Sequence, residues 1–174
     1  HDVGLGPLAM QRRALGLAIA GEDHAAEPKA RQGIGGLLLV PRRTLMAYAL
    51  STIANAFIRM AQERDCNDLT PMKLLKLMYI AHGWSLGLFN RPLFVEEVEA
   101  WKYGPVIREL YHEVKRYRNR PIDQMLSAPI NESIEDMDEM LLDQVWNAYG
   151  HYDGLALSSI THRPNSPWSE TWDE

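Results

Sequence analysis

The fold is decided by residues 70–88, which read TPMKLLKLMYIAHGWSLGL. Thr70 supplies a hydroxyl suited to capping a helix, and Pro71 takes the first helical position, where a missing N–H costs nothing. Apolar residues cover most of the circumference of the helix that follows, namely Leu74, Leu75, Leu77, Met78, Ile80, Ala81, Trp84 and Leu88. We therefore predict that this helix is buried on more than one side and forms the core of the fold.

Helical spacing of apolar residues also recurs before and after this core helix. The pattern predicts further helices over residues 51–64, from Pro105 to a basic end, along the stripe Met137, Leu141, Val145 and Ala148 up to Gly150, over residues 153–161, and from Pro167 onward. Residues 93–102 mix apolar and acidic side chains without helical spacing and predict a short extended or β segment. The fold class is therefore mainly α: a compact single-domain helical bundle with one short extended segment.

Length and composition agree with a single domain over residues 46–174. The whole chain has 174 residues, of which 46% are apolar and 24% are charged, enough for one buried core and not for two. Cys66 is the only cysteine, which excludes an internal disulfide and fits a reducing compartment. The longest apolar runs, such as residues 37–40, are far shorter than the roughly 20 residues of a membrane helix. We expect a soluble, cytoplasmic protein with no membrane partner.

Residues 1–45 differ in character from the rest. They hold six Lys or Arg against four Asp or Glu, whereas residues 46–174 hold twelve against nineteen. Glycine and proline are frequent and no helical or strand period is sustained, so we expect a poorly ordered N-terminal extension. A targeting role is the alternative, because Arg12 and Arg13 precede an apolar run.

A further hypothesis places the natural start of translation at Met46. The chain opens with His1, and an arginine pair, Arg42 and Arg43, stands just before Met46. AGG codons at both arginines would give a purine-rich ribosome-binding sequence at a suitable distance. The nucleotide sequence tests this hypothesis, since other arginine codons would remove the argument.

Residue spacing gives no catalytic, cofactor or metal site. Glu109 and His112 have the i, i+3 spacing of a Glu-x-x-His metal pair, but no second pair is visible. Cys66 is flanked by aspartates, whose charge raises the pKa of the thiol and makes it a poor nucleophile. We expect no enzyme activity, no cofactor and no metal. An enzyme with Glu109, His112 and His162 in a polar pocket remains the alternative.

A basic segment follows the helix predicted from Pro105, comprising Lys115, Arg116, Arg118 and Arg120 with Tyr117 among them. Such a segment could bind a nucleic-acid backbone and stack a base on the aromatic ring, as in a phage-associated regulator. Basic residues at a helix C-terminus also complement its dipole, and the chain has a net charge of -5. Nucleic acid is therefore a disfavoured partner.

Residues 99–106, EAWKYGPV, are the most unusual segment of the chain, because aromatic residues surround a Gly-Pro pair. Trp101 and Tyr103 flank a turn whose shape Gly104 and Pro105 restrict. The two rings either fill the core or present a rigid apolar face to a protein partner, since cores and interfaces favour the same residues.

Several segments of the chain occur in an order that resembles a known family. They are KLLKLMYIAHGW at residues 73–84, PLF at 92–94 and EAWKYGPV at 99–106, followed by Tyr149-Gly150, Leu157-Ser158, Thr161-His162 and Pro167-Trp168. The resemblance is to the Panacea domain family, which includes phage-associated proteins and SocA-like antitoxins. It implies a helical domain that neutralises a cognate toxin protein by protein–protein contact, either directly or by delivering the toxin to a ClpXP-type protease.

The resemblance brings no catalytic residue with it, so the residues predicted to matter are those of a contact face. We predict partner binding by Tyr79, Trp84, Trp101, Lys102 and Tyr103. Trp101 and Tyr103 would form the face, and Tyr79 and Trp84 would form or support it.

Overall fold

The computed structural model describes residues 47–172, and the predictions made for residues 1–45 lie outside the described residues. Within that range the chain forms six α-helices and a two-stranded sheet. In chain order they are α1 (Leu50–Glu63), α2 (Pro71–Phe89), β1 (Val98–Trp101), β2 (Gly104–Ile107), α3 (Arg108–Val114), a 3-10 turn (Lys115–Tyr117), α4 (Asp136–Tyr149), α5 (Gly154–Thr161) and α6 (Pro167–Thr171). The predicted mainly α fold class is confirmed.

Helix α2 lies at the centre of the domain, as its apolar circumference predicts. It is packed by α1, α4, α5 and β2, and Leu74, Leu77 and Met78 are fully buried. Its burial is so complete that two charged side chains, Lys73 and Lys76, are enclosed as well. No helix within residues 47–172, α2 included, is long and apolar enough to span a bilayer.

The extended segment predicted within residues 93–102 is confirmed at its end, where β1 pairs antiparallel with β2. Trp101 stands opposite Gly104 in this hairpin. The prediction that Pro105 opens a helix is wrong: Pro105 lies in β2 opposite Ala100, and α3 begins only at Arg108. A two-stranded ribbon accommodates proline because each strand has one side that needs no ladder hydrogen bond.

Helix α4 ends near Gly150, as predicted, but its buried face differs from the predicted stripe. Met137 and Ala148 are exposed, whereas the face packed on α2 carries Asp138, Leu141, Leu142, Val145 and Trp146. Asp138 turns inward because its carboxylate accepts hydrogen bonds from Tyr48 at 2.7 Å and Arg91 at 2.6 Å. The polar contact therefore fixes the rotation of the helix and leaves Met137 outside.

Candidate functional site

Residues 101–105, which we call the hairpin turn, comprise the turn between β1 and β2 with the strand residues next to it, and side chains from distant parts of the chain hold them. Three of their main-chain carbonyls face side chains near the C-terminus: one on α5, one directly after α5 and one on α6. The contacts join Trp168 Nε1 to Trp101 O at 2.8 Å, Ser158 Oγ to Tyr103 O at 2.9 Å, and His162 Nε2 to Lys102 O at 3.2 Å. The backbone of this hairpin turn is therefore fixed by tertiary contacts rather than by its own strands alone.

Lys76 of α2 supports the same turn from inside the domain. Its ammonium donates a hydrogen bond to Pro105 O at 2.9 Å, and the residue is only 1% exposed. Burial lowers the pKa of Lys76 to about 7. A fourth carbonyl of the hairpin turn is thus satisfied by a lysine that the fold removes from water.

Gly104 is required where the hairpin turn crosses Lys76. Its φ of +100° is a conformation that side-chain-bearing residues rarely adopt. A Cβ atom at this position would lie 2.9 Å from Lys76 Cε and Nζ and 2.9 Å from Thr161 Oγ1. Glycine therefore allows both the backbone conformation and the close approach of the buried lysine.

The side chains of Trp101, Lys102 and Tyr103 form what we call the turn surface. Tyr103 is 62% exposed, and Lys102 is exposed with its ammonium 5.7 Å from the centre of the Tyr103 ring. Trp101 is half-buried: its ring meets the edge of Tyr111 at 5.1 Å, and its Nε1 donates to Glu99 at 2.7 Å. The turn surface thus offers a tyrosine, a lysine and part of an indole on a fixed backbone.

An ion pair at the base of the hairpin holds the indole in place. Arg108 donates to both oxygens of Glu99, at 2.6 and 2.7 Å, and its guanidinium lies 5.8 Å from the Trp101 ring. The hydrogen bond from Arg108 is the main reason that the pKa of Glu99 is lowered. The pair is largely exposed, so it orients the ring more than it stabilises the fold.

The other two residues of the predicted contact set lie on α2. Tyr79 is 4% exposed within the core, and burial raises the pKa of its hydroxyl. Trp84 is partly buried against the edge of Tyr149, at 6.2 Å between ring centres. The Tyr79 ring packs in the core, so of the two predicted roles its position fits support of the face rather than direct contact.

Comparison with known proteins assigns the chain to a family. The family model described as "Antitoxin SocA-like, Panacea domain" matches residues 74–169, more than half of the chain. The chain belongs to this family. It is also similar to Antitoxin SocA of Caulobacter vibrioides, with 29% identity over 130 residues, which cover 67% of this chain and 66%, just under two thirds, of SocA. No solved structure matches the chain.

The residues that hold the hairpin turn all lie in the segments by which the sequence resembles the Panacea family. Ser158, His162 and Trp168 lie in the segments quoted for the resemblance, and so do Lys76 and Gly104. Sequence reasoning did not connect them, although one signal was present. If α2 is buried on several sides, its lysines are buried too and need acceptors elsewhere in the chain.

The second buried lysine of α2, Lys73, forms an ion pair and a main-chain hydrogen bond away from the hairpin turn. Its ammonium donates to Asp68 at 2.6 Å and to Gly150 O at 2.7 Å, and it lies 3.7 Å from the sulfur of Cys66. Burial, followed by the hydrogen bond to Asp68, raises the pKa of the Cys66 thiol. The predicted direction of that pKa is confirmed, but burial rather than the charge of the aspartates is its main cause.

The residues of the alternative enzyme hypothesis each have separate surroundings. Glu109 and His112 are exposed on α3, and the Lys115 ammonium lies 3.1 Å from His112 Nδ1. His162 faces Lys102 O and packs on the Trp168 ring at 3.8 Å between centres. Among residues 47–172, no three His, Cys, Asp or Glu side chains are grouped to hold a metal ion.

The basic segment from Lys115 to Arg120 lacks the free aromatic ring that base stacking requires. Tyr117 is buried, and the Arg116 guanidinium covers its ring at 5.0 Å. The interpretation of Tyr117 as a stacking platform is therefore wrong. The four basic side chains are exposed, and two of them, Arg116 and Arg120, line a cleft of about 620 Å³ together with Asp123.

Proposed function

We propose that this chain is an antitoxin that neutralises a toxin protein by direct contact through the turn surface, without catalysing a reaction. Membership of the SocA-like antitoxin family and the similarity to Antitoxin SocA support this role. The chain is expected to act in the cytoplasm, and its toxin is expected to be encoded beside it. Binding either blocks the toxin directly or allows its delivery to a ClpXP-type protease, and both routes require the contact first.

The observation that carries the proposal is the fixing of the hairpin turn by four carbonyl contacts. A turn held by Lys76, Ser158, His162 and Trp168 has little backbone freedom left to lose when a partner binds. Tyr103 projects from it and offers a large amphipathic ring with few rotatable bonds, a residue type enriched among energetically dominant interface positions. A preorganised tyrosine on a rigid turn suits protein recognition.

Co-expression tests the proposal. The neighbouring reading frame is expressed alone and together with the full chain, and we expect growth arrest in the first case and growth in the second. Tyr103→Ala should abolish rescue, whereas Tyr152→Ala, which removes an exposed tyrosine outside the turn surface, should leave rescue intact. Thermal melting of both purified variants must match the unmodified chain, because neither ring is buried.

Two results would contradict the proposal. A neighbouring frame whose toxicity the unmodified chain does not relieve would remove the antitoxin role. Full rescue by a folded Tyr103→Ala variant would remove the turn surface as the contact. Repeating the rescue in cells that lack ClpX separates direct blocking, which persists, from proteolytic delivery, which is lost.

A further inference from the structure

An apolar groove lies between the C-terminal end of α2 and the first half of α4. Its rim is formed by Leu88, Met137 and Met140, which are 58%, 60% and 62% exposed. Phe89 and Leu141 also line it, and the space encloses about 350 Å³. Exposed large apolar side chains that cluster around a concave surface are characteristic of binding sites rather than of ordinary protein surface. We call this feature the methionine groove.

The methionine groove is separate from the turn surface. Lys76, beneath the hairpin turn, and Leu88, at the groove, are twelve residues apart on α2. A rise of 1.5 Å per residue places them about 18 Å apart along the helix axis. The toxin contact proposed above therefore does not explain why these methionines are exposed.

The groove is bordered by negative charge. Asp136 lines the groove, and Glu139 precedes Met140 on α4; both are exposed, and neither forms an ion pair within residues 47–172. Helix α4 itself carries no lysine or arginine. The cation beside the groove, Arg91, lies 5.4 Å from the Phe89 ring, but the buried carboxylate of Asp138 pairs with it at 2.6 Å. Within the described residues, the border therefore carries negative charge that no ion pair neutralises.

This combination of shape and charge selects one kind of occupant. Met137 and Met140 are one helical turn apart, and their unbranched side chains adapt to different apolar partners. A second copy of the chain is disfavoured, because a two-fold contact through this face would bring the acidic borders of both copies together. We propose that the methionine groove binds an amphipathic helix of another protein, with apolar residues one turn apart and lysine or arginine beside them.

Methyl NMR of the full chain, labelled at the methionine methyl groups, tests this proposal with two synthetic 14-residue peptides. One peptide places leucine at helical spacing among lysines, and the other replaces every lysine by glutamate. We expect the lysine peptide to shift the Met137 and Met140 signals, with weaker binding at higher salt, and the glutamate peptide to leave them unchanged. The double substitution Met137→Ala/Met140→Ala should lower the affinity for the lysine peptide by at least about tenfold.

Matched variants separate the groove from general attraction to an acidic protein. Ile130→Ala removes a 99% exposed apolar residue elsewhere and should leave the affinity unchanged, as should Tyr103→Ala on the turn surface. Equal binding of both peptides, or shifts that leave out Met137 and Met140, would overturn the proposal. These measurements use no toxin, so their failure is distinct from failure of the antitoxin role.

Two other occupants are tested on the full chain without peptide. If the Met137 and Met140 signals depend on protein concentration, a second copy fills the groove and the proposal is overturned. If Arg42→Glu/Arg43→Glu shifts the same signals, the chain's own N-terminal segment is the occupant, which also overturns it. The proposal requires that the Met137 and Met140 signals change neither with protein concentration nor with the two arginine substitutions.

Discussion

The free energy of unfolding of the unmodified protein is expected to rise with pH, and replacing Lys76 by Met should remove that rise. The Lys76 ammonium is buried beneath the hairpin turn and hydrogen-bonds Pro105 O at 2.9 Å. No carboxylate within residues 47–172 is close enough to pair with it. Burial lowers its pKa from 10.5 to about 7, so the charged form is disfavoured in the folded state.

The sign follows from proton binding. Between pH 7 and pH 10.5 the unfolded chain holds a proton on Lys76 that the folded chain has released, so raising the pH favours folding. The drop in pKa corresponds to a free energy of unfolding that is about 5 kcal/mol lower below pH 7 than it would be with an unshifted lysine. About 3 kcal/mol of this loss is recovered by pH 9.5. Methionine carries no such charge but leaves Pro105 O unpaired, which costs about 1–3 kcal/mol at every pH.

Urea unfolding followed by tryptophan fluorescence at pH 6.5 and pH 9.5 measures the effect. The free energy of unfolding of Lys76→Met, relative to the unmodified chain, should be about 3 kcal/mol higher at pH 6.5 than at pH 9.5. Lys102→Met, an exposed lysine in the same turn, should follow the unmodified chain at both values. A difference for Lys76→Met that does not change with pH would refute the reasoning.

Three further substitutions test the contacts that build the domain, each by urea unfolding. Gly104→Ala should destabilise the fold by about 3 kcal/mol, because alanine is strained at positive φ and its Cβ would contact the buried lysine. Gly87→Ala, in an exposed part of α2, should be neutral or slightly stabilising. Equal effects of the two substitutions would contradict the role of Gly104. Asp138→Ala should cost about 3–5 kcal/mol because it leaves the Arg91 charge, 12% exposed, without a partner, and a loss under 1 kcal/mol would show that the pair is not needed. Trp168→Phe removes the hydrogen bond to the hairpin turn and should cost about 1 kcal/mol, with faster amide exchange in the turn; unchanged exchange would argue against α6 as its clamp.

The helices could be predicted because their start signals act within one turn. Thr70, Asp153 and Ser166 each accept a hydrogen bond from the N–H three residues later in the chain. These contacts join residues that are close in the sequence, and two of the three capping residues, Thr70 and Ser166, are followed by a proline that fits the first turn. Local physics and the apolar spacing therefore gave the helix positions to within a few residues.

The hairpin and the face of α4 could not be predicted from the same signals. Pro105 fits the start of a helix as well as an outer strand, and only its pairing with Ala100 decides between them. Asp138 looks like an exposed residue until Arg91, distant in sequence, is brought beside it. The sequence pattern cannot supply contacts between residues so far apart in the chain, and for that reason the apolar stripe predicts the wrong face for Met137.

The candidate site was predicted in part for a related reason. Aromatic density around Gly104 identified the segment, and the structure exposes Tyr103 and Lys102 there. The contacts that hold the segment come from residues such as Lys76 and Trp168, which are far from it in the chain. The sequence does not reveal that Tyr79 is buried, because cores and interfaces favour the same aromatic residues.

Titration calorimetry of the purified neighbouring-frame protein with the full chain tests the central claim most directly. The account predicts stoichiometric binding, a dissociation constant raised about thirtyfold or more by Tyr103→Ala, and no change for Tyr152→Ala, with equal melting temperatures for all three chains. Absence of binding, or equal dissociation constants for the two variants, would contradict it.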